Sequence, residues 1–111
     1  MAQALGMIEV YGYTTSIVVA DAVAKAADVK IVAIDKNKPA NADACPVPLL
    51  MAVKFMGNAG AVQSALDAGV KVAESRGLYI TSKLIAGLDE QVQWFADLTA
   101  TGKDKFRNLD K

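Results

Sequence analysis

Cys45 is the only cysteine of the chain, and histidine is absent. A single thiol forms no intramolecular disulfide and no CxxC redox pair. Without imidazole, the usual catalytic triads, most zinc sites and the common physiological-pH proton shuttle are excluded. What Cys45 can offer is one thiolate. Thiolates, usually four, hold iron–sulfur clusters, and a cysteine followed by proline, as in Cys45-Pro46, recurs at such sites. The plain alternative is a small, packed or inert thiol, the commonest fate of a lone cysteine. Other groups carry weaker chemical signals. Gly57-Asn58-Ala59-Gly60, at a strand-to-helix junction, could turn backbone N–H groups toward an anion. It lacks the Lys-Ser/Thr of a P-loop and reads better as a structural turn. Lys25 follows Asp21 by the i,i+4 spacing of a solvated helix pair. Trp94-Phe95 could dock a peptide, with Phe95 the better core candidate, and Lys103-Asp104-Lys105-Phe106-Arg107 reads as a solvated end. No carboxylate pair stands near a cleft signal, so no enzymatic activity is expected.

The elements that must position Cys45 follow from the hydropathy pattern. It lies in a polar, proline-bearing stretch from Lys36 to Pro48, between two β-type runs, Val29–Asp35 and Leu49–Met56. A first strand is expected at Leu5–Gly12 and a fourth at Leu78–Ile85. Tyr13-Thr14-Thr15-Ser16 offers hydroxyl caps for a helix whose inward face would be Ile17, Ala20, Ala24 and Ala27. Asn58 is placed to cap a second helix over 59–76, with Val62, Leu66, Gly69, Val70 and Ala73 inward and Gly77 as its stop. A third helix is expected over Leu88–Leu98, with Val92, Phe95 and Ala96 inward. The order βαββαβα predicts an α+β fold, a ferredoxin-like layer of helices on a four-stranded antiparallel sheet.

Length and composition bound the rest. The chain has 111 residues, 53% hydrophobic and 22% charged, which supports one packed domain over residues 1–99 and a charged tail over 100–111. Twelve basic and twelve acidic side chains cancel, removing the electrostatic signature of a nucleic-acid or membrane-surface binder. Asp21, Asp28, Lys54 and Asp67 interrupt the apolar segments well short of the roughly 18 residues of a membrane span. The first residues lack the pattern of a secretory signal, so a cytosolic location is expected. The mean hydropathy of +0.26 is high for a small domain and favours burial of apolar surface between identical subunits.

Three stretches together resemble the bacterial microcompartment shell protein family, the BMC domain. Ala4-Leu5-Gly6-Met7-Ile8-Glu9 is similar to the family's opening A-L-G-M-[VI]-E strand. Ala20-Asp21-Ala22-Val23-Ala24-Lys25-Ala26-Ala27-Asp28-Val29 resembles its A-D-A-x-x-K-x-A-x-V segment. Gly57-Asn58-Ala59-Gly60-Ala61-Val62, with Ala65, Asp67, Ala68 and Gly69, resembles G-D-V-G-A-V-x-x-A-x-x-A-G. The resemblance spans roughly Ala4 to Ile85 and implies a single BMC domain with a structural role. Such domains form homohexamers that tile edge to edge with other shell proteins around encapsulated enzymes, in a cytoplasmic microcompartment. Lys25 matches the lysine at the hexamer edge. After the fourth strand the family's P-R-P-H is replaced by Ala86-Gly87-Leu88-Asp89, so the edge arginine is missing.

The resemblance also implies that the loop after the second strand lines a central pore. Lys36 matches the lysine of the family's tight K-I-G-S-G turn, but here the turn is replaced by a longer loop. Lys36, Asn37, Lys38, Pro39, Asn41, Asp43, Cys45, Pro46 and Pro48 are the expected pore-loop residues, and all three prolines of the chain lie in it. Each proline fixes a backbone angle, which argues for a shaped loop. Copies of Cys45 around one axis would supply several thiolates, as in divergent glycyl-radical-type shell proteins that carry an iron–sulfur cluster at the pore. Cys45 is thus the candidate metal ligand of a cluster shared between subunits. The competing expectation is a small oligomeric metabolite-binding regulatory module of ferredoxin-like fold.

Overall fold

Runs rich in branched and long apolar side chains become the four strands of one antiparallel sheet in the computed structural model, which describes residues 3–37, 41–45, 47 and 49–98. The elements are β1 (Ala4–Tyr11), α1 (Tyr13–Ala26), β2 (Lys30–Asn37), β3 (Leu50–Gly57), α2 (Ala59–Ser75), β4 (Tyr79–Ile85) and α3 (Gln93–Asp97). Short 3-10 turns occupy Ala42–Ala44 and Glu90–Val92. The strand order is β2-β3-β1-β4, with every neighbouring pair antiparallel. The expected α+β layer is therefore present.

Strand alternation divides the side chains between two faces. Ile8, Val10, Met51, Val53 and Phe55 turn toward α1 and α2, where they meet Val19, Val23, Val62, Ala65, Leu66 and Ala73 in the main core. Leu5 and Met56 turn the other way and meet Leu88 and Ala96 in a smaller cluster. A register shift between Ile31 and Ala33 leaves Val32 unmatched in the pairing with β3, and Val32 packs against this smaller cluster.

The helix ends and faces show where local signals sufficed. Asn58 Oδ1 accepts the Ala61 N–H at 2.8 Å, the cap the sequence predicts. Gly77 takes φ +70°, and its N–H donates to the Glu74 carbonyl at 3.0 Å to end α2. At α1 the expectation is corrected. The helix starts at Tyr13 behind Gly12, at φ +92°, with no side-chain cap, and the Ser16 hydroxyl instead donates back to the Tyr13 carbonyl. Its buried face is Thr15, Ser16, Val19 and Val23; of the expected residues Ala20 and Ala27 pack at the core's margin, whereas Ile17 is 46% exposed and Ala24 is exposed. The valines bury more apolar area than the alanines, and they fit against the bare backbone of Gly69 on α2. The third helix is also shorter than expected: Val92 is exposed, Phe95 half-buried, and only Ala96 of the three expected residues is buried. The tail over 100–111 lies outside the described residues.

Candidate functional site

The loop between β2 and β3 departs from Lys36 and Asn37, which are exposed and pair across the sheet with Met51 and Leu50. Lys38, Pro39, Pro46 and Pro48 lie outside the described residues. Asn41 and Asp43 are exposed, and the Ala44 N–H closes a tight turn on the Asn41 carbonyl at 2.8 Å. Cys45 is half-buried, with Sγ 3.5 Å from the Asn41 carbonyl oxygen and 3.7 Å from Asn41 Oδ1. The same thiol faces the Tyr11 hydroxyl at the end of β1. Loss of water raises the Tyr11 pKa above its usual 10.0, and the hydrogen bond with Cys45 adds to the rise. Val47 reaches toward Gly12, whose N–H donates to the Leu49 carbonyl at 2.9 Å. The later half of the loop is thus fastened to the β1–α1 junction.

This arrangement supplies one thiol per chain. Among the described residues, no three His, Cys, Asp or Glu groups come together within a single copy. A cluster at Cys45 requires thiolates from several copies, and each would exchange its weak contacts with Asn41 and Tyr11 for the metal. Lys25 is exposed on α1, with Nζ 2.8 Å from Asp21 Oδ2, so the expected i,i+4 pair is formed at the surface. The Gly57–Gly60 junction spends its Asn58 side chain on the helix cap, in keeping with a structural turn. Trp94 is 66% exposed and stands edge-on to Phe95, with ring centroids 6.1 Å apart.

A residue that sequence reasoning treated only as an interruption proves central to the open face of the sheet. Lys54, on β3, is 1% exposed. Its Nζ donates to the Phe95 and Leu98 carbonyls, each at 2.7 Å, lies 4.4 Å from the centre of the Phe95 ring and stands 3.9 Å from Asp35 Oδ2. The available signal was a lone charge in an otherwise apolar strand. Shallow clefts of about 290 and 240 Å³ flank Phe95 and share Glu9, Ala52 and Phe95 in their walls.

Burial lowers the Lys54 pKa from 10.5, against the opposing pull of Asp35 and then Asp97. The unfolded chain keeps this proton up to about 10.5, whereas the folded chain releases it at lower pH. Below 10.5 the unfolded state therefore binds more protons, and raising pH favours the fold through this group. Its contribution is fully present above 10.5 and is lost as pH falls through the folded-state value. Denaturant titrations from neutral pH to 10.5 are expected to show wild type gaining stability relative to Lys54→Met. A pH-independent difference would remove Lys54 as the titrating group.

The BMC domain family model matches residues 4–88. The chain is 33% identical over 86 residues to the bacterial microcompartment shell protein PduK of Citrobacter freundii, covering 78% of this chain and 50% of that protein. It is 35% identical over 94 residues to the shell protein EutK of Escherichia coli K12, covering 85% of this chain and 51% of that protein. The shell protein PduA of Citrobacter freundii is 37% identical over 75 residues, covering 68% of this chain and 71% of that protein. A crystal structure of a microcompartment protein from Desulfitobacterium hafniense superposes with a TM-score of 0.69 at 26% identity, covering 85% of this chain and 48% of that one. The chain spans about half the length of PduK, EutK and the superposed structure. No helix among the described residues is long and apolar enough to cross a membrane.

Proposed function

The chain belongs to the BMC domain family of bacterial microcompartment shell proteins, and from that premise we propose that six copies form a ring whose 36–48 loops surround a central pore. The observation that carries this reading is the family match over residues 4–88, which takes in every strand and both long helices. Exposed Tyr13 and Ile17 on α1 supply apolar surface of the kind buried between subunits. The role is structural: a tile joined laterally to other shell proteins, around enzymes it encloses. Lys25 sits at the tile edge, and the absence of an arginine in Ala86-Gly87-Leu88-Asp89 alters its neighbours there.

The same reading gives Cys45 a purpose. Around a six-fold axis its thiols converge, and we propose that they hold an iron–sulfur cluster able to pass electrons across the shell. Six equivalent thiols do not match the four irons of a cubane cluster, so on this reading the ring breaks its symmetry or leaves an iron ligated by another group. Fastening of the loop at Tyr11 and Gly12 supports a shaped pore lining that presents the thiol from a defined position.

Native mass spectrometry of protein purified without oxygen tests both levels. The expected result is a six-chain mass carrying iron and sulfide, with the added mass lost in Cys45→Ser while the ring persists. A bare six-chain ring in both proteins would retain the shell reading and reduce Cys45 to packing. Dimers or trimers alone would overturn the ring in favour of a ligand-binding regulatory module.

A further inference from the structure

We propose that α3, with the turn before it, is a cover on the open face of the sheet that opens as a unit while the rest of the fold stays closed, and that Lys54 is its latch. A helix of five residues, Gln93–Asp97, has no stability of its own and persists through what it touches. Those contacts are few in kind. Leu88 and Ala96 meet Leu5 and Met56 in the small cluster, separate from the main core between the sheet, α1 and α2. Gln93 Nε2 donates toward Met56 Sδ at 3.3 Å. The turn before α3 is tied by the Leu88 N–H, which donates to the Gln3 carbonyl at 2.9 Å. The end of α3 is tied by Lys54, whose ammonium takes the Leu98 carbonyl and shares the Phe95 carbonyl with the Leu98 N–H.

The charge of Lys54 sets the balance between closed and open forms. In the closed form the ammonium is stripped of water, a cost offset only in part by the two carbonyls, the Phe95 ring and the nearby Asp35 carboxylate. When α3 lifts, those partners on α3 leave and water reaches the ammonium from the open face, so no buried charge is stranded. Opening therefore gives up a small apolar contact and regains the hydration of a cation. The main core on the opposite face is untouched. Opening also removes Phe95 from between the two clefts and joins them into one trough floored by Met7, Glu9 and Ala52. The contacts that hold α3 lie within one chain and are the same with or without a six-fold ring.

Hydrogen exchange followed by mass spectrometry on the full chain tests it. In wild type, peptides covering 88–98 are expected to exchange at least about tenfold faster than those of β1 and β3, as a separate opening unit. Lys54→Met keeps the aliphatic stem but takes the ammonium from the Leu98 carbonyl and from the Phe95 carbonyl, the latter keeping only the Leu98 N–H. In that variant exchange over 93–98 is expected to rise about tenfold more while β1 and β3 keep their protection. Wild-type exchange over 88–98 as slow as β1 would show that α3 belongs to the global unit and overturn the cover. Unchanged or slower exchange over 93–98 in Lys54→Met, or loss of protection in β3 with it, would overturn the latch. If that variant does not fold, the wild-type comparison alone still decides whether α3 opens separately.

Discussion

Phe55→Ala is expected to lower the unfolding free energy by about 3–5 kcal/mol, read as a fall in the denaturant midpoint. Phe55 is fully buried on β3, and its cross-strand partner on β1 is Gly6. The ring occupies the space a side chain at Gly6 would need: a Cβ there would lie 2.4 Å from Phe55 Cε2, 2.6 Å from Cζ and 2.9 Å from Val62 Cγ1. Removing the ring thus opens a cavity whose nearest neighbour has no side chain to fill it. The converse substitution, Gly6→Ala, forces a methyl group into the ring and is expected to cost about 1–3 kcal/mol by overpacking. In the Phe55→Ala background the two ring clashes are gone and only the 2.9 Å approach to Val62 Cγ1 remains, beside a cavity into which Val62 can shift, so Gly6→Ala should cost much less than in wild type. The double-mutant cycle is therefore strongly non-additive. Additive losses would mean that the two residues do not share this space.

The resemblance in the A-L-G-M-I-E strand and the Asn58 cap were legible because each depends on residues adjacent in the chain. Alternation in β3 likewise separates Met51, Val53 and Phe55 from Lys54. What alternation leaves open is which face receives two long helices and which receives one short one. Lys54 meets carbonyls 41 and 44 residues further on, a separation that no local spacing encodes. Its lone charge in an apolar strand marked a special position without naming a partner. On α1 the alanine spacing was real but misleading. Periodicity defines a face only to within about one residue's rotation, and Gly69, far along the chain, admits Val19 and Val23 at the centre of that face, with Ala20 and Ala27 at the core's margin and Ala24 exposed. For Cys45, residue type and the following proline were visible, whereas the turn of its thiol toward Asn41 and Tyr11 depends on where β1 ends.

Gly69→Val is expected to cost about 3 kcal/mol, although glycine within a helix is ordinarily a weakness. Replacing an interior helix glycine by alanine gains about 0.5–1 kcal/mol from backbone entropy. At Gly69 that gain is overwhelmed by close contact. A Cβ there would stand 2.5 Å from Ile8 Cδ1, 2.7 Å from Val23 Cγ2 and 3.3 Å from Val19 Cγ1. Those three side chains are fully buried, so none can swing into solvent to make room. Alanine already overpacks this site, and the further methyl groups of valine must push α1 from α2 or α2 from the sheet. Gly60, in the first turn of the same helix, provides the internal contrast. Its only close neighbour is Asn58 Oδ1 at 3.7 Å, an ordinary contact, so Gly60→Ala is expected to stabilise by up to about 1 kcal/mol. In a domain of this size 1 kcal/mol moves the melting temperature by about 4–8 °C, so thermal melts should resolve opposite signs for the two sites. A matching rise in both variants would mean that helix propensity governs α2 and that α1, α2 and β1 are not in close contact at Gly69.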